Sequence, residues 1–247
     1  YFGDLVALKD LKADNLQTLI ASIYEQFPKG DFCWSLSNHD CARHVSRLNP
    51  DPRFRKEFAV MTTALFMLLP GGYCMYQGEE LGLPKANLSF DQLLDPFDIS
   101  LYPHHYERDS ARTPMPWMKE AKNAGFSAAD KAWLPIEPSQ LEYAADGQEL
   151  SSDSVLQSMR KVIQWRKKNF KESQSYAPLP LERDGVFRFR LMTKKAEYVC
   201  AFNFSAVDVA VTVPNGQVCD DVSCGYKTNG DNAYTLSPYG FIVLCCA

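Results

Sequence analysis

Phe32-Cys33-Trp34-Ser35-Leu36, followed at once by Ser37-Asn38-His39-Asp40, is the stretch on which the reading of this chain turns. The first five residues are apolar or small and bounded by polar ones, which predicts a strand rather than a helix. The polar tetrapeptide after them predicts a loop. Upstream, Leu16, Leu19, Ile20, Ile23, Tyr24 and Phe27 recur at helical spacing behind Asp14 or Asn15 as N-cap, and Pro28-Lys29-Gly30 ends the run. Downstream, Phe54 to Leu69 is a strongly apolar helix stopped by Pro70-Gly71-Gly72, and Tyr73 to Tyr76 is a second buried strand. Helix, strand, loop, helix, strand is the rhythm of a parallel α/β sheet or barrel.

Between Leu81 and Ser151 that rhythm stops. Seven prolines, from Pro84 to Pro138, punctuate the segment, and a long irregular stretch inside a compact protein is normally a functional loop or a sign of missing partners. Ser152 or Asp153 then caps a helix with Val155, Met159, Val162, Ile163 and Arg166 on one face, and its basic last turn suits the helix dipole. After Pro178 the texture becomes alternating. Val186 to Leu191, Tyr198 to Phe204, Val207 to Val213 and Tyr239 to Cys246 are strand candidates, with turn signals at Asn215-Gly216 and Asn229-Gly230. The expected organisation is therefore an α/β portion over residues 1–177 and a small antiparallel β-sandwich over 178–247.

Composition narrows the partners. Of 247 residues 46% are hydrophobic, enough for a substantial core, and the net charge of −4 argues against nucleic acid, which demands a basic surface. No apolar run approaches the roughly 18 residues that a membrane span requires, so no membrane partner is expected. Eight cysteines show no C-x-x-C spacing. Cys74 and Cys200 fall in apolar runs and read as small hydrophobes, and Cys219 with Cys224 is the first pair to check for a disulfide. Mostly reduced cysteines predict a reducing, cytoplasmic setting, a secreted or periplasmic one being the alternative. The chain opens Tyr1-Phe2-Gly3-Asp4 without an initiator Met, and is read as part of a larger coding sequence or as processed.

Side chains just past the C-terminal end of a barrel strand face the active site, so His39 and Asp40 are candidates to grip neighbouring hydroxyls. The plainer alternative is that Asn38 and Asp40 only make Asx turns and cap the next helix. Glu79 and Glu80 are adjacent on a strand end, point opposite ways and read as structural rather than as a catalytic pair. His104 and His105 have no metal-ligand company and read as solvated loop residues. No metal site and no cofactor are expected.

Three segments carry a family resemblance. Trp34-Ser35-Leu36-Ser37-Asn38-His39-Asp40-Cys41-Ala42-Arg43, with Val45-Ser46-Arg47, resembles the fourth conserved region of the α-amylase family (glycoside hydrolase family 13). Tyr76-Gln77-Gly78-Glu79-Glu80-Leu81-Gly82 resembles that family's eighth strand and the turn after it. Arg108-Asp109-Ser110-Ala111-Arg112-Thr113-Pro114-Met115-Pro116-Trp117, with Asn123-Ala124-Gly125-Phe126, resembles the oligo-1,6-glucosidase and α-glucosidase branch. The likeness covers residues 10 to 170. It implies the C-terminal part of a (β/α)8 TIM barrel followed by the β-sandwich.

The resemblance also implies roles. Asp40 matches the carboxylate that stabilises the oxocarbenium-like transition state, and His39 its hydrogen-bonding neighbour in the same sugar subsite. Arg108 matches the arginine that closes the pocket around the non-reducing glucose, an ordinary ion pair with Asp109 being the bland alternative. Arg43 either braces Asp40 or lies under the cleft, and Arg112 locks the loop. The family's nucleophilic Asp and acid/base Glu have no counterpart here. The implied whole is a retaining α-glucosidase acting on maltose- or sucrose-like α-glucosides, and this chain is expected to be inactive without the upstream half of the barrel. Trehalose synthase or sucrose isomerase chemistry, and a non-catalytic binding relative such as a transporter heavy-chain ectodomain, are the alternatives.

Overall fold

The computed structural model describes residues 3–28, 31–49, 51–104, 107–170, 174–182 and 185–246. It divides into two compact units, one of Tyr1–Lys9, Ser35–Asn49 and Cys74–Gln157, the other of Asp10–Trp34, Pro50–Tyr73 and Ser158–Ala247. Chain order among the described residues is α1 (Gly3–Ala7), α2 (Ala13–Gln26), β1 (Cys33–Trp34), α3 (His44–Arg47), α4 (Arg55–Leu68), β2 (Gly72–Tyr73), α5 (Pro96–Leu101), α6 (Glu107–Ala111), α7 (Ala145–Leu150) and α8 (Val155–Asn169). Seven strands follow: β3 (Ser175–Pro178), β4 (Val186–Met192), β5 (Glu197–Asn203), β6 (Val209–Thr212), β7 (Gln217–Val218), β8 (Cys224–Gly230) and β9 (Ala233–Cys246).

In the second unit the expected helices appear with small shifts. Helix α2 starts at Ala13 because Asn15 reaches back to accept the Lys12 N–H at 3.0 Å, so Asn15 works from inside the first turn rather than as N-cap. Lys29 and Gly30, read as part of its stop signal, lie outside the described residues. Helix α4 is buried all round from Phe58 to Leu68, as its unbroken apolar sequence requires. Strands β1 and β2 run parallel, Cys33 opposite Gly72 and Trp34 opposite Tyr73, which is the pairing that the α/β rhythm predicts.

Both parallel strands are shorter than expected, and the second is not buried. Tyr73, Met75 and Tyr76 are half-buried and Cys74 is exposed, so Cys74 is not the small core hydrophobe expected of it. The reason is that β2 pairs with β1 and with no other strand among the described residues. Helix α8 is capped by Ser154, whose Oγ accepts from Gln157 N at 3.2 Å, one or two residues beyond the expected cap. Its Arg166 is drawn from the helix end to the carbonyls of Met67, Leu69 and Gly71, tying α8 to the turn after α4.

The C-terminal strands form a seven-stranded antiparallel sheet along β3-β4-β5-β9-β6, with β7 and β8 also on β9. Register separates its two faces. Phe187, Phe189, Cys200, Phe202, Phe241 and Val243 share one face, where the rings of Phe202 and Phe241 stack at 5.0 Å and Trp165 of α8 meets Tyr198 edge-on at 5.1 Å. Val186, Val199, Ala201, Ile242 and Leu244 share the other and pack with Val211, Val213, Tyr234 and Leu236 from the sheet's other end. The expected sandwich is thus one curled sheet closing on its own apolar face. Cys219 and Cys224 are both free, so the disulfide suggested for them is absent.

In the first unit, the described residues between 79 and 150 form short helices and 3₁₀ turns joined by irregular segments, as the proline pattern predicts. No helix among the described residues is long and apolar enough to cross a membrane.

Candidate functional site

The polar stretch after β1 folds as a closed loop. Ser37 Oγ accepts the His44 N–H at 3.0 Å, stapling its two ends, and Asn38 Oδ1 accepts the Asp40 N–H at 2.8 Å in an Asx turn. The plain structural reading of Asn38 is therefore true as geometry. It also lifts His39 and Asp40 to the loop tip, where their side chains are 64% and 44% exposed with Nε2 and Oδ2 3.4 Å apart.

Two arginines converge on that carboxylate. Arg108 Nε lies 3.2 Å and Arg112 Nη2 3.1 Å from Asp40 Oδ1. Positions i and i+4 bring both onto one side of the turn that begins at α6. Arg112 also donates from Nε to the His39 carbonyl at 2.7 Å, so it locks the loop as expected while touching the same carboxylate as Arg108. The Arg108 guanidinium lies 4.8 Å from the Phe97 ring centroid, a cation–π contact that limits its swing. The alternative ion pair between Arg108 and Asp109 is not formed. Asp109 is buried and accepts the N–H groups of Leu94 and Asp95 at 2.6 and 2.8 Å.

A fourth charge, Asp95, completes the group. Its Oδ2 is 2.8 Å from Arg112 Nη1 and its Oδ1 3.7 Å from Arg108 Nη1. Burial works against its charge. The Arg112 hydrogen bond, the N–H groups of Asp98 and Phe97 and the charge of Arg108 outweigh that and hold the carboxyl below its usual range. Sequence reasoning missed Asp95 because Asp-Pro reads as a helix start. It is one, since Oδ1 caps α5 through Phe97 N and Asp98 N. The one further signal was its place in the proline-rich loop.

Beneath the loop lies a buried polar tier. Arg43, left between bracing Asp40 and lying under the cleft, is 1% exposed. It donates to the carbonyls of Gln77 and of Ala111, the latter at 3.1 Å, and sits 5.2 Å from the Tyr76 ring centroid. The less certain sequence expectation for Arg43 was a substrate contact; a side chain so enclosed instead works as a brace beneath the loop, bonded to backbone carbonyls. Glu79 Oε1 lies 3.3 Å from His44 Nδ1, itself 3.3 Å from Ser37 Oγ, and Glu79 Oε2 accepts from Tyr76 N at 3.2 Å. Glu80 accepts the Gly78 N–H at 2.6 Å, and burial pushes its carboxyl upward. Both glutamates are thus engaged within the fold. His104 is exposed; His105 lies outside the described residues.

This arrangement offers a semi-exposed carboxylate beside an imidazole, backed by two fixed guanidiniums. Such a group can hold vicinal hydroxyls and place negative charge against a developing cation.

Similarity to known proteins is extensive. The α-amylase catalytic-domain profile matches residues 3–174. A probable alpha-glucosidase of Rhizobium meliloti is 33% identical over 205 residues, which are 83% of this chain and 37% of that protein. Oligo-1,6-glucosidase IMA5 of Saccharomyces cerevisiae is 27% identical over 262 residues, 94% of this chain and 44% of the relative. Among solved structures, the alpha-glucosyl transfer enzyme XgtA superposes with a TM-score of 0.85 at 31% identity, covering 97% of this chain and 45% of that one. The chain thus spans less than half the length of each of these relatives.

Proposed function

Because the chain belongs to the α-amylase catalytic-domain family, we propose that it is the sugar-holding part of a retaining α-glucosidase that hydrolyses terminal α-glucosidic bonds of maltose- or sucrose-like oligosaccharides. The observation that carries the reading is the meeting of Asp40 and Arg108, 68 positions apart in sequence, at 3.2 Å with the carboxylate still 44% exposed. A surface ion pair of ordinary kind contributes little and needs no such convergence. A pocket wall for hydroxyls needs both charges fixed and reachable.

In this reading Asp40 accepts hydrogen bonds from two neighbouring hydroxyls of the glucose ring that loses its aglycone. Its charge lies where the oxocarbenium-like transition state becomes positive, and losing one such preorganised group costs about 10²–10³ in kcat. His39 donates to an adjacent hydroxyl, and Arg108, steadied by Phe97, closes the pocket at the non-reducing end. Bond breaking needs a nucleophilic carboxylate and an acid/base carboxylate about 5 Å apart. We assign both to polypeptide outside this chain, the upstream half of the same barrel, with residues 1–177 here supplying its last segments and 178–247 the terminal β-domain. The free cysteines favour a reducing, cytoplasmic setting.

A second reading keeps the same pocket and changes the acceptor. The likeness to an alpha-glucosyl transfer enzyme favours attack on the glycosyl intermediate by a sugar hydroxyl in place of water. Product analysis with maltose separates the two, since transfer yields longer or rearranged saccharides and hydrolysis yields glucose. The test of the main reading is p-nitrophenyl α-glucoside hydrolysis, absent for the chain alone and restored when an upstream barrel half is supplied. Turnover by the isolated chain at an ordinary glucosidase rate would overturn it.

A further inference from the structure

We propose that Asp95 is the counter-charge that keeps Arg108 and Arg112 in place while Asp40 is turned to the sugar; this rests on the glucosidase reading above. The difficulty it answers is geometric. Asp40 Oδ1 is shared by Arg108 Nε at 3.2 Å and Arg112 Nη2 at 3.1 Å. A carboxylate that accepts sugar hydroxyls must give up part of that bonding, and a partly enclosed guanidinium that loses its partner is costly to leave unpaired. With side chains 33% and 22% exposed, neither arginine stands fully in water.

Asp95 is built for the complementary duty. Its side chain is 10% exposed against 44% for Asp40. Its N–H donates to Asp109 Oδ2 at 2.8 Å, and its Oδ1 accepts from Phe97 N at 2.9 Å and Asp98 N at 3.3 Å. Asp98 in turn accepts from Asp109 N at 2.8 Å, so the carboxylate of each short helix secures the start of the other. Asp95 therefore cannot follow a ligand, whereas Asp40 rides on an exposed loop tip. Its Oδ2 already holds Arg112 Nη1 at 2.8 Å, and Arg108 Nη1 is 3.7 Å from its Oδ1, a small closing motion from a full hydrogen bond. One fixed and one reorientable carboxylate around two guanidiniums let the sugar displace bonds to Asp40 without scattering the arginines. Asp95 is a positioning residue and touches no substrate.

Its duty as N-cap of α5 is the competing explanation, and crossed variants separate the two. Asparagine keeps the cap and removes the charge; glutamate keeps the charge and caps poorly. The isotopically labelled chain, combined with an unlabelled upstream barrel half, is titrated with methyl α-D-glucopyranoside, following affinity, the Nε–H signals of Arg108 and Arg112, and the amide exchange of Phe97 and Asp98. The counter-charge role predicts that Asp95→Asn weakens the dissociation constant about tenfold and loses both arginine signals on sugar addition, with the cap amides still protected. Asp95→Glu should return the affinity to within about twofold of the parent while those amides exchange faster. Parent-like binding by Asp95→Asn, or Asp95→Glu binding no better than Asp95→Asn, overturns the proposal. Failure of the parent chain with its upstream half to bind the sugar at all removes the glucosidase reading instead, and this role with it.

Discussion

Replacing Gly78 by alanine tests the buried tier under the site more sharply than any change at the surface. Gly78 has φ +92° and ψ −13°, a region where a side chain costs roughly 1–2 kcal/mol. Its added Cβ would also sit 2.5 Å from Arg43 Nη1 and 2.8 Å from Leu83 Cδ1. Arg43 cannot swing away into water, because it is 1% exposed and bonded to the Gln77 and Ala111 carbonyls. Yielding means giving up one charged hydrogen bond, a further 1.5–3 kcal/mol or so. Gly78→Ala should therefore destabilise the first unit by about 3 kcal/mol or more, read from urea unfolding and from faster amide exchange at Gly82 and Leu83. Gly147→Ala is the matched control. It lies inside α7 with nothing within 4 Å of its would-be Cβ and should gain about 0.5–1 kcal/mol. A Gly78→Ala protein within about 0.5 kcal/mol of the parent would refute the claim that Arg43 is an immobile brace.

Three more outcomes follow from the same geometry. Arg112→Lys should loosen the His39–Asp40 loop, because an ammonium cannot reach the His39 carbonyl, Asp40 and Asp95 together as the guanidinium does; faster amide exchange at Asp40 is the readout. Asp95 has a lowered carboxyl pKa, so its contribution to stability is present above about pH 4 and fades as acid carries the protein through the lowered value; the acid limb of a stability–pH curve should flatten in Asp95→Asn. Under native conditions a thiol reagent should label exposed Cys74 first and leave Cys200 unreacted, since Cys200 is buried and burial pushes its thiol well up; reaction at equal rates would contradict that packing.

Much of this was legible in the chain because local pattern and tertiary demand coincide. Leu16, Ile20 and Ile23 are buried where the helical period puts them, and the apolar run of α4 is enclosed on every side. The candidate site's members His39, Asp40 and Arg108 were legible because the segments bearing them are locally distinctive. Other features depend on contacts that no local pattern records. Strand β8, Cys-Gly-Tyr-Lys-Thr-Asn-Gly, is mostly exposed, shows no alternation and owes its strand form to pairing with β9. Strand β9 runs through Ser237-Pro238-Tyr239-Gly240, which reads as a break. The strand bends there, with Tyr239 at φ 54°, and any Cβ on Gly240 would fall 2.1 Å from the Gly225 carbonyl oxygen. Asp95 announced its cap and not its charge partners, because those arrive from α6 and the turn after it, thirteen and seventeen positions later.

The central claim is that the exposed tip after β1 holds a glucose ring, and a sugar titration of the labelled chain combined with its upstream barrel half asks about it directly. With methyl α-D-glucopyranoside, the account predicts that the His39 imidazole, the Asp40 amide and the Arg108 Nε–H shift together along one saturation curve. Shifts confined to other surfaces, such as the groove lined by Lys12, Gln17, Glu182 and Phe204, with those three signals unmoved, would contradict it.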